Sequence, residues 1–212
     1  MKLYSYWRST AAYRVRIALA LKGEDYEYVP VNLVRDGGEQ HSAAYRAKNP
    51  QGLVPLFEHG DVRINQSLSI IRYLEDVLPE PTLYAADPVL NAKIESFALS
   101  ICADIHPLNN LRVLNYLTTE LNHDPEQKQV WYHHWLAHGF DSLELTLSEA
   151  STTYCVTDYP SLADICLVAQ VYNARRFGFD LSNYPLIVEK EQLCLQEEAF
   201  AQSIPEKQID AE

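Results

Sequence analysis

Arg8-Ser9-Thr10 is the stretch of this chain whose residue types and spacing most directly offer chemistry. The two hydroxyls stand at the mouth of a run with apolar residues at helical spacing, and three arginines (Arg8, Arg14, Arg16) fall within nine residues. A hydroxyl at a helix N-terminus can donate to a nucleophile or an oxyanion, and the positive end of the helix favours negative charge there. The chain as a whole is acidic, with a formal net charge of −12. This corner is therefore expected to receive an anion and hold it against a hydroxyl. On spacing alone, Ser9 serves equally well as a plain helix cap.

Other residues suit the same chemistry. Gln66-Ser67 opens a second amphipathic run, Ser67 to Leu78, with Ser67 expected as its N-cap, a place that favours a carboxylate. Val54-Pro55 follows the turn signal Asn49-Pro50-Gln51-Gly52 and precedes a short strand, where a cis proline could fix the backbone. Only seven basic residues lie beyond position 78, and Arg112, Arg175 and Arg176 are three of them. Arginine forks match carboxylates. Arg175 is read as a salt-bridge residue. His106, before Pro107, either orients a substrate or packs at a bend. His134 and His138 are four apart without a His-Glu-x-x-His pattern, so they read as helix-face residues, and no metal is expected.

The elements that must position these residues follow from pattern. Lys2 to Tyr6 alternates as a strand, Ala12 to Lys22 is a helix stopped by Gly23, and Tyr26 to Leu33 is a second strand. The strand after Pro55 can pair with Asp61 to Ile64 through His59-Gly60, and Ser67 to Leu78 closes the unit. This order, β-α-β then β-β-α, describes a small α/β domain over 1–78. Pro79-Glu80-Pro81 begins a linker, 79–87. Beyond Asp87-Pro88 the chain reads as helix almost throughout, over 92–121, 127–148, 161–176 and 186–195, so 88–212 is expected to be an all-α domain. Ser161-Leu162-Ala163-Asp164 fits a variant capping box.

Charge divides along the same line. Residues 1–78 hold 10 Lys+Arg against 9 Asp+Glu, and residues 79–212 hold 7 against 20. Such a chain repels nucleic acid and anionic membranes, so neither is an expected partner. No apolar run approaches the roughly 20 residues that span a bilayer, and the start lacks a signal-peptide pattern, which points to a soluble, cytoplasmic protein. The four cysteines (102, 155, 166, 194) form no C-x-x-C pair and are expected as reduced, buried thiols.

The order of elements is that of soluble glutathione transferases, and the motifs resemble the zeta class, which includes maleylacetoacetate and maleylpyruvate isomerases. The resemblance rests on Tyr6-Trp7-Arg8-Ser9-Thr10 through Arg14-Val15-Arg16-Ile17-Ala18-Leu19, Asn49-Pro50-Gln51, Leu53-Val54-Pro55 and Gln66-Ser67-Leu68. It continues through Asp104-Ile105-His106-Pro107-Leu108-Asn109-Asn110 and Asn173-Ala174-Arg175-Arg176-Phe177, and so covers nearly the whole chain. It implies a thioredoxin-like α/β N-terminal domain joined to an all-α domain, glutathione as cofactor, and a homodimer.

The resemblance also implies roles. Ser9, with Thr10 beside it, stabilises the glutathione thiolate; Val54 pairs through its backbone with the cysteinyl part; Gln66 and Ser67 grip the γ-glutamyl end; Gln40 contacts glutathione. Arg8, His106, Arg112 and Arg176 form the side that takes a small dicarboxylate. Tyr6 is the rival to Ser9, since other classes use a tyrosine near the end of the first strand. Many zeta sequences read Ser-Ser-Cys at the helix mouth, whereas this one reads Ser9-Thr10-Ala11, which disfavours chemistry needing a protein thiol. The implied activity is glutathione-dependent cis–trans isomerisation of maleylacetoacetate to fumarylacetoacetate in aromatic amino-acid breakdown. Maleylpyruvate isomerisation, conjugation and α-haloacid dehalogenation are the alternatives. Leu111 before Arg112, where a maleylpyruvate-type site prefers a second arginine, favours the longer substrate. A glutathione-binding module without turnover is the non-enzymatic alternative.

Overall fold

The structure, a computed structural model, describes residues Met1–Glu212. The chain divides into two compact units, Met1–Leu83 with Gln196–Glu212, and Tyr84–Leu195.

In the first unit, β1 (Lys2–Ser5) runs parallel to β2 (Glu27–Pro30) and antiparallel to β3 (Leu56–His59), which pairs with β4 (Val62–Asn65). The sheet order is β2-β1-β3-β4. β2 is shorter than the Tyr26–Leu33 expected. It stops at Pro30, which has no N–H for a ladder, and one last bond follows from Val31 N to Ser5 O at 2.7 Å. Between β1 and β2 lies α1 (Thr10–Leu21), ended by Gly23 at φ 68°. A single turn, α2 (Ala43–Arg46), precedes β3, and α3 (Ser67–Val77) packs on α1. Leu3, Val15, Ile17, Leu19, Phe57, Ile70, Ile71 and Leu74 form the fully buried interior.

The second unit contains helices only. α4 (Pro88–Leu99) is capped by Asp87, whose side chain accepts from Leu90 N. The long helix expected over 92–121 is interrupted. A π turn, Ser100–Ile105, closes with His106 N donating to Ile101 O, Pro107 then removes a donor, and Asn110 caps a new helix, α5 (Leu111–Thr119). α6 (Pro125–Ser148), α7 (Leu162–Arg176) and α8 (Pro185–Cys194) follow. α7 is the hub, packed on α4 and α8 and buried along most of its length, and its capping box at Ser161/Asp164 is present as expected.

The expected 88–212 domain needs one correction. Residues 196–212, including α9 (Glu198–Ser203), belong with the first unit, where α9 packs on α1. Phe200 is fully buried there, a single large anchor in a segment too short and polar to show a helical period. No helix is long and apolar enough to cross a membrane. None of the four cysteines is in a disulfide, and three of them are buried.

Candidate functional site

Ser9 sits at the N-cap of α1 in extended backbone (φ −74°, ψ 112°), and its Oγ accepts from Ala12 N at 3.2 Å. Its own N–H donates to Tyr6 O at 2.8 Å, which makes Trp7 and Arg8 the centre of a tight turn. A hydroxyl has one proton and two lone pairs. The helix uses a lone pair, so the proton remains to be donated outward, and cap and donor are compatible roles. Thr10, the first helical residue, is buried beside it. Arg8 lies over the Trp7 ring, 4.0 Å from its centroid. Tyr6, the rival hydroxyl, is packed in a buried cluster with Tyr4, Trp7, Val31, Tyr45 and Val54.

The anion corner expected from three arginines is corrected to one. Arg14 and Arg16 point inward, at 2% and 1% exposure, because α1 is covered on nearly all sides. Arg16 donates to Trp7 O at 3.0 Å, Ser5 Oγ at 3.2 Å and Ser203 O at 3.3 Å, so it braces the interior. Burial pushes its pKa down, opposed by the surrounding tyrosines and Asp210. Arg14 donates to Ser67 Oγ at 3.3 Å and so places a cation behind the start of α3. Charged residues on an otherwise apolar helix are the signal that could have marked these two as internal.

Ser67 is not the cap it was expected to be. Gln66 takes that position with φ 69°, which turns the chain so that Ser67 becomes the first residue of α3. No side chain caps this helix, so its first N–H groups are not met by a side-chain acceptor. Ser67 Oγ accepts from Arg14, and its proton is likewise left to donate. Gln66 Nε2 donates to Gln51 Oε1 at 3.1 Å, and Asn65 Nδ2 reaches the same oxygen at 3.4 Å.

The Val54-Pro55 peptide is cis. The loop before it is tied by Tyr45 Oη and Asn49 Nδ2, each 2.7 Å from Leu53 O. Burial pushes the Tyr45 phenol up to about 12, which keeps it a donor. The β1–β3 ladder begins at Leu56, so the Val54 peptide groups lie outside it. Gln40 is buried, with Nε2 donating to Leu33 O at 3.3 Å and Oε1 left without a partner. A Cβ on Gly38 (φ 101°) would stand 2.3 to 2.6 Å from the Gln40 amide. Gly38→Ala is therefore expected to displace the Gln40 amide and to cost about 1–2 kcal/mol of stability, read from urea unfolding.

These features fit glutathione: the Ser9 and Ser67 hydroxyls, each accepting one bond from the protein, an uncapped helix start backed by a cation, an unsatisfied buried carbonyl at Gln40, and a peptide off the ladder. The first unit thus carries Arg8, Ser9, Thr10, Gln40, Val54, Gln66 and Ser67.

The second unit carries the other expected site residues on separate elements. His106 follows the π turn, half-buried; Arg112 is exposed in the first turn of α5; Arg176 is exposed at the end of α7. The Arg176 guanidinium lies 5.0 Å from the Phe177 ring centroid and is near enough to Tyr132 to oppose the upward shift that burial gives that phenol. Tyr132 bonds Asn173 and stacks on Phe177, so this end of α7 is rigidly packed. Arg175 forms a salt bridge with Glu191, as read from sequence. His134 and His138 are exposed on α6.

Comparison with known proteins is consistent over the whole length. Residues 3–82 match the family model "Glutathione S-transferase, N-terminal domain". The maleylacetoacetate isomerase of Pseudomonas aeruginosa is 46% identical, covering 99% of this chain and 98% of that one. A holo structure of maleyl pyruvate isomerase, a bacterial glutathione S-transferase of the zeta class, superposes with a TM-score of 0.97 at 40% identity over all of both chains. A maleylacetoacetate isomerase from Methylobacterium extorquens, with bound malonate and glutathione, gives 0.95 at 36% identity, again over both complete chains.

Proposed function

The chain belongs to the zeta class of glutathione transferases, and from that premise we propose that it catalyses the glutathione-dependent cis–trans isomerisation of maleylacetoacetate to fumarylacetoacetate. The observation that carries this reading in the structure is Ser9, whose Oγ accepts from Ala12 N and whose proton is left to donate at the positive end of α1. When bound, glutathione would supply the thiolate nucleophile for reversible addition to the activated C=C bond, which becomes free to rotate while it is single. Ser9 donates to that sulfur and lowers the cost of its charge, with Thr10 adjacent. The start of α3, with Ser67, Gln66 and Arg14 behind it, receives the γ-glutamyl carboxylate. Val54 offers its peptide groups to the cysteinyl part, and Gln40 adds an amide contact.

For the substrate, the family resemblance assigns Arg8, Arg112 and Arg176, whose forks match carboxylates and stabilise enolate charge as it develops, and His106 as an orienting residue. None of these steps requires a protein thiol, which accommodates Ala11. Ser67→Ala is expected to raise the KM for glutathione about tenfold with kcat nearly unchanged, because it removes binding common to ground and transition states. We further propose a cytoplasmic homodimer, as the family resemblance implies; light scattering on the eluting protein would read its mass directly.

A second substrate, maleylpyruvate, is favoured by the likeness to the maleyl pyruvate isomerase structure. Ultraviolet assays of both compounds, with and without glutathione, test the reading. Faster glutathione-dependent turnover of maleylacetoacetate supports it, faster turnover of maleylpyruvate replaces the substrate, and no glutathione-dependent change with either sinks it.

A further inference from the structure

The peptide groups of Trp7 are held on both sides by charged side chains to which the reaction assigns no part. The Trp7 carbonyl accepts from Arg16 Nη2 at 3.0 Å, and its N–H donates to Asp210 Oδ2 at 3.1 Å. The second oxygen of the same carboxylate, Asp210 Oδ1, accepts from Tyr28 Oη at 2.6 Å. Asp210 belongs to the C-terminal segment that returns to the first unit, and Ser203 of that segment accepts from Arg16 Nε. Trp7 is one of the two central residues of the turn closed by Ser9 N and Tyr6 O. Neither Trp7 nor Arg8 is a residue that stabilises a turn by itself, unlike Gly, Pro, Asn or Asp. The turn that presents Ser9 is thus fixed from outside, by a fully buried cation and a carboxylate some two hundred residues away in sequence.

We infer that Asp210 is a positioning residue for the isomerase: its carboxylate, gripping the Trp7 N–H opposite Arg16, sets the Tyr6–Ser9 turn so that the Ser9 hydroxyl faces the thiolate. This rests on the role proposed above for Ser9. A carboxylate taking a backbone N–H makes a charge-assisted bond, stronger and more directional than water would offer. Misplacing a donor by a fraction of an ångström weakens its hold on the sulfur while leaving the rest of the glutathione contacts intact.

The test compares Asp210→Asn, Tyr28→Phe and Ser9→Ala in the full chain with glutathione bound. The pH titration of thiolate absorbance gives the apparent pKa of the bound thiol, and maleylacetoacetate turnover gives kcat and KM. Asp210→Asn, which replaces the charge-assisted bond to Trp7 N by a weaker neutral one, is expected to raise the thiol pKa and lower kcat about tenfold, with the KM for glutathione moving less than about twofold. Tyr28→Phe loosens the same segment but leaves the Trp7 bond, and is expected to stay within about twofold of the unchanged chain. Asp210→Glu, a carboxylate one methylene longer, should shift the thiol in the same direction by less, so the test stands even where the amide variant folds poorly. A thiol titration unmoved by the Asp210 variants but raised by Ser9→Ala overturns the positioning role. So does an equal shift from Tyr28→Phe, which would make the effect one of general stability. A titration unmoved by Ser9→Ala overturns the thiolate assignment itself, and the positioning role with it.

Discussion

Ser9→Ala is expected to lower kcat/KM for glutathione-dependent isomerisation by about 100-fold, the usual cost of removing one preorganised donor from a developing or stabilised anion. The side chain has two jobs, and the substitution removes both. As a cap it accepts from Ala12 N, and its loss should cost ~1 kcal/mol of stability, visible as a small fall in the unfolding midpoint. In its proposed role as donor to the sulfur, its loss should appear in turnover and in the titration of the bound thiol. Two further variants separate the jobs. Ser9→Asp keeps an acceptor for Ala12 N but sets a negative charge against the thiolate, so stability holds while activity falls at least as far. Ser9→Thr keeps the hydroxyl and should retain most of both. Tyr6→Phe is the control on the rival: its ring is packed among Tyr4, Trp7 and Tyr45, and loss of the hydroxyl should leave turnover within about threefold. If only the tyrosine change removes activity, the assignment of Ser9 is wrong.

Pattern-bearing features were legible in the sequence, and features made by distant segments were not. Apart from the single turn α2, which sequence pattern does not mark, the β-α-β-β-β-α order of elements around Val54-Pro55, the cap at Ser9 and the Ser161/Asp164 box each depend on residues within a few positions of one another, so spacing reports them. Arg14 and Arg16 were read as part of an anion site because a charge beside a helix mouth ordinarily faces solvent. Their actual environment is supplied by Ser67, Ser203 and Trp7, of which the first two are far along the chain. The C-terminal segment escaped for a related reason: Phe200 and Asp210 are ten residues apart, with no periodicity between them, and each has meaning only against the first unit. The break after α4 hides within a continuous apolar pattern, since a π turn shifts register by one residue without interrupting hydrophobicity. Gln66 shows the same limit at one residue, because its positive φ is uncommon for a side chain of its kind and has no sequence mark.

The largest expected effect on stability lies in the second unit, at Asp164. This carboxylate is fully buried, and it accepts from Cys155 N at 2.8 Å, Ser161 N at 2.9 Å and Ser161 Oγ at 2.8 Å. Two of these donors are backbone groups in a region closed to water, and one of them opens α7, the helix on which α4 and α8 pack. Asp164→Ala leaves them unsatisfied, and at ~1–3 kcal/mol for each orphaned group the expected loss is about 3–5 kcal/mol. With an m-value of ~2–3 kcal/mol/M, the urea midpoint falls by about 1–2 M. Burial pushes the Asp164 pKa up, opposed by the bonds from Cys155 and Ser161. The neutral, isosteric Asp164→Asn avoids that desolvation cost and keeps one acceptor oxygen, so it should lose roughly half as much. Trp131 and Trp135 both lie in this unit and report its unfolding by fluorescence once Trp7 is replaced by Phe. An alanine variant within about 0.5 kcal/mol of the parent would mean that the box is dispensable, because α7 would then be held by its apolar contacts alone.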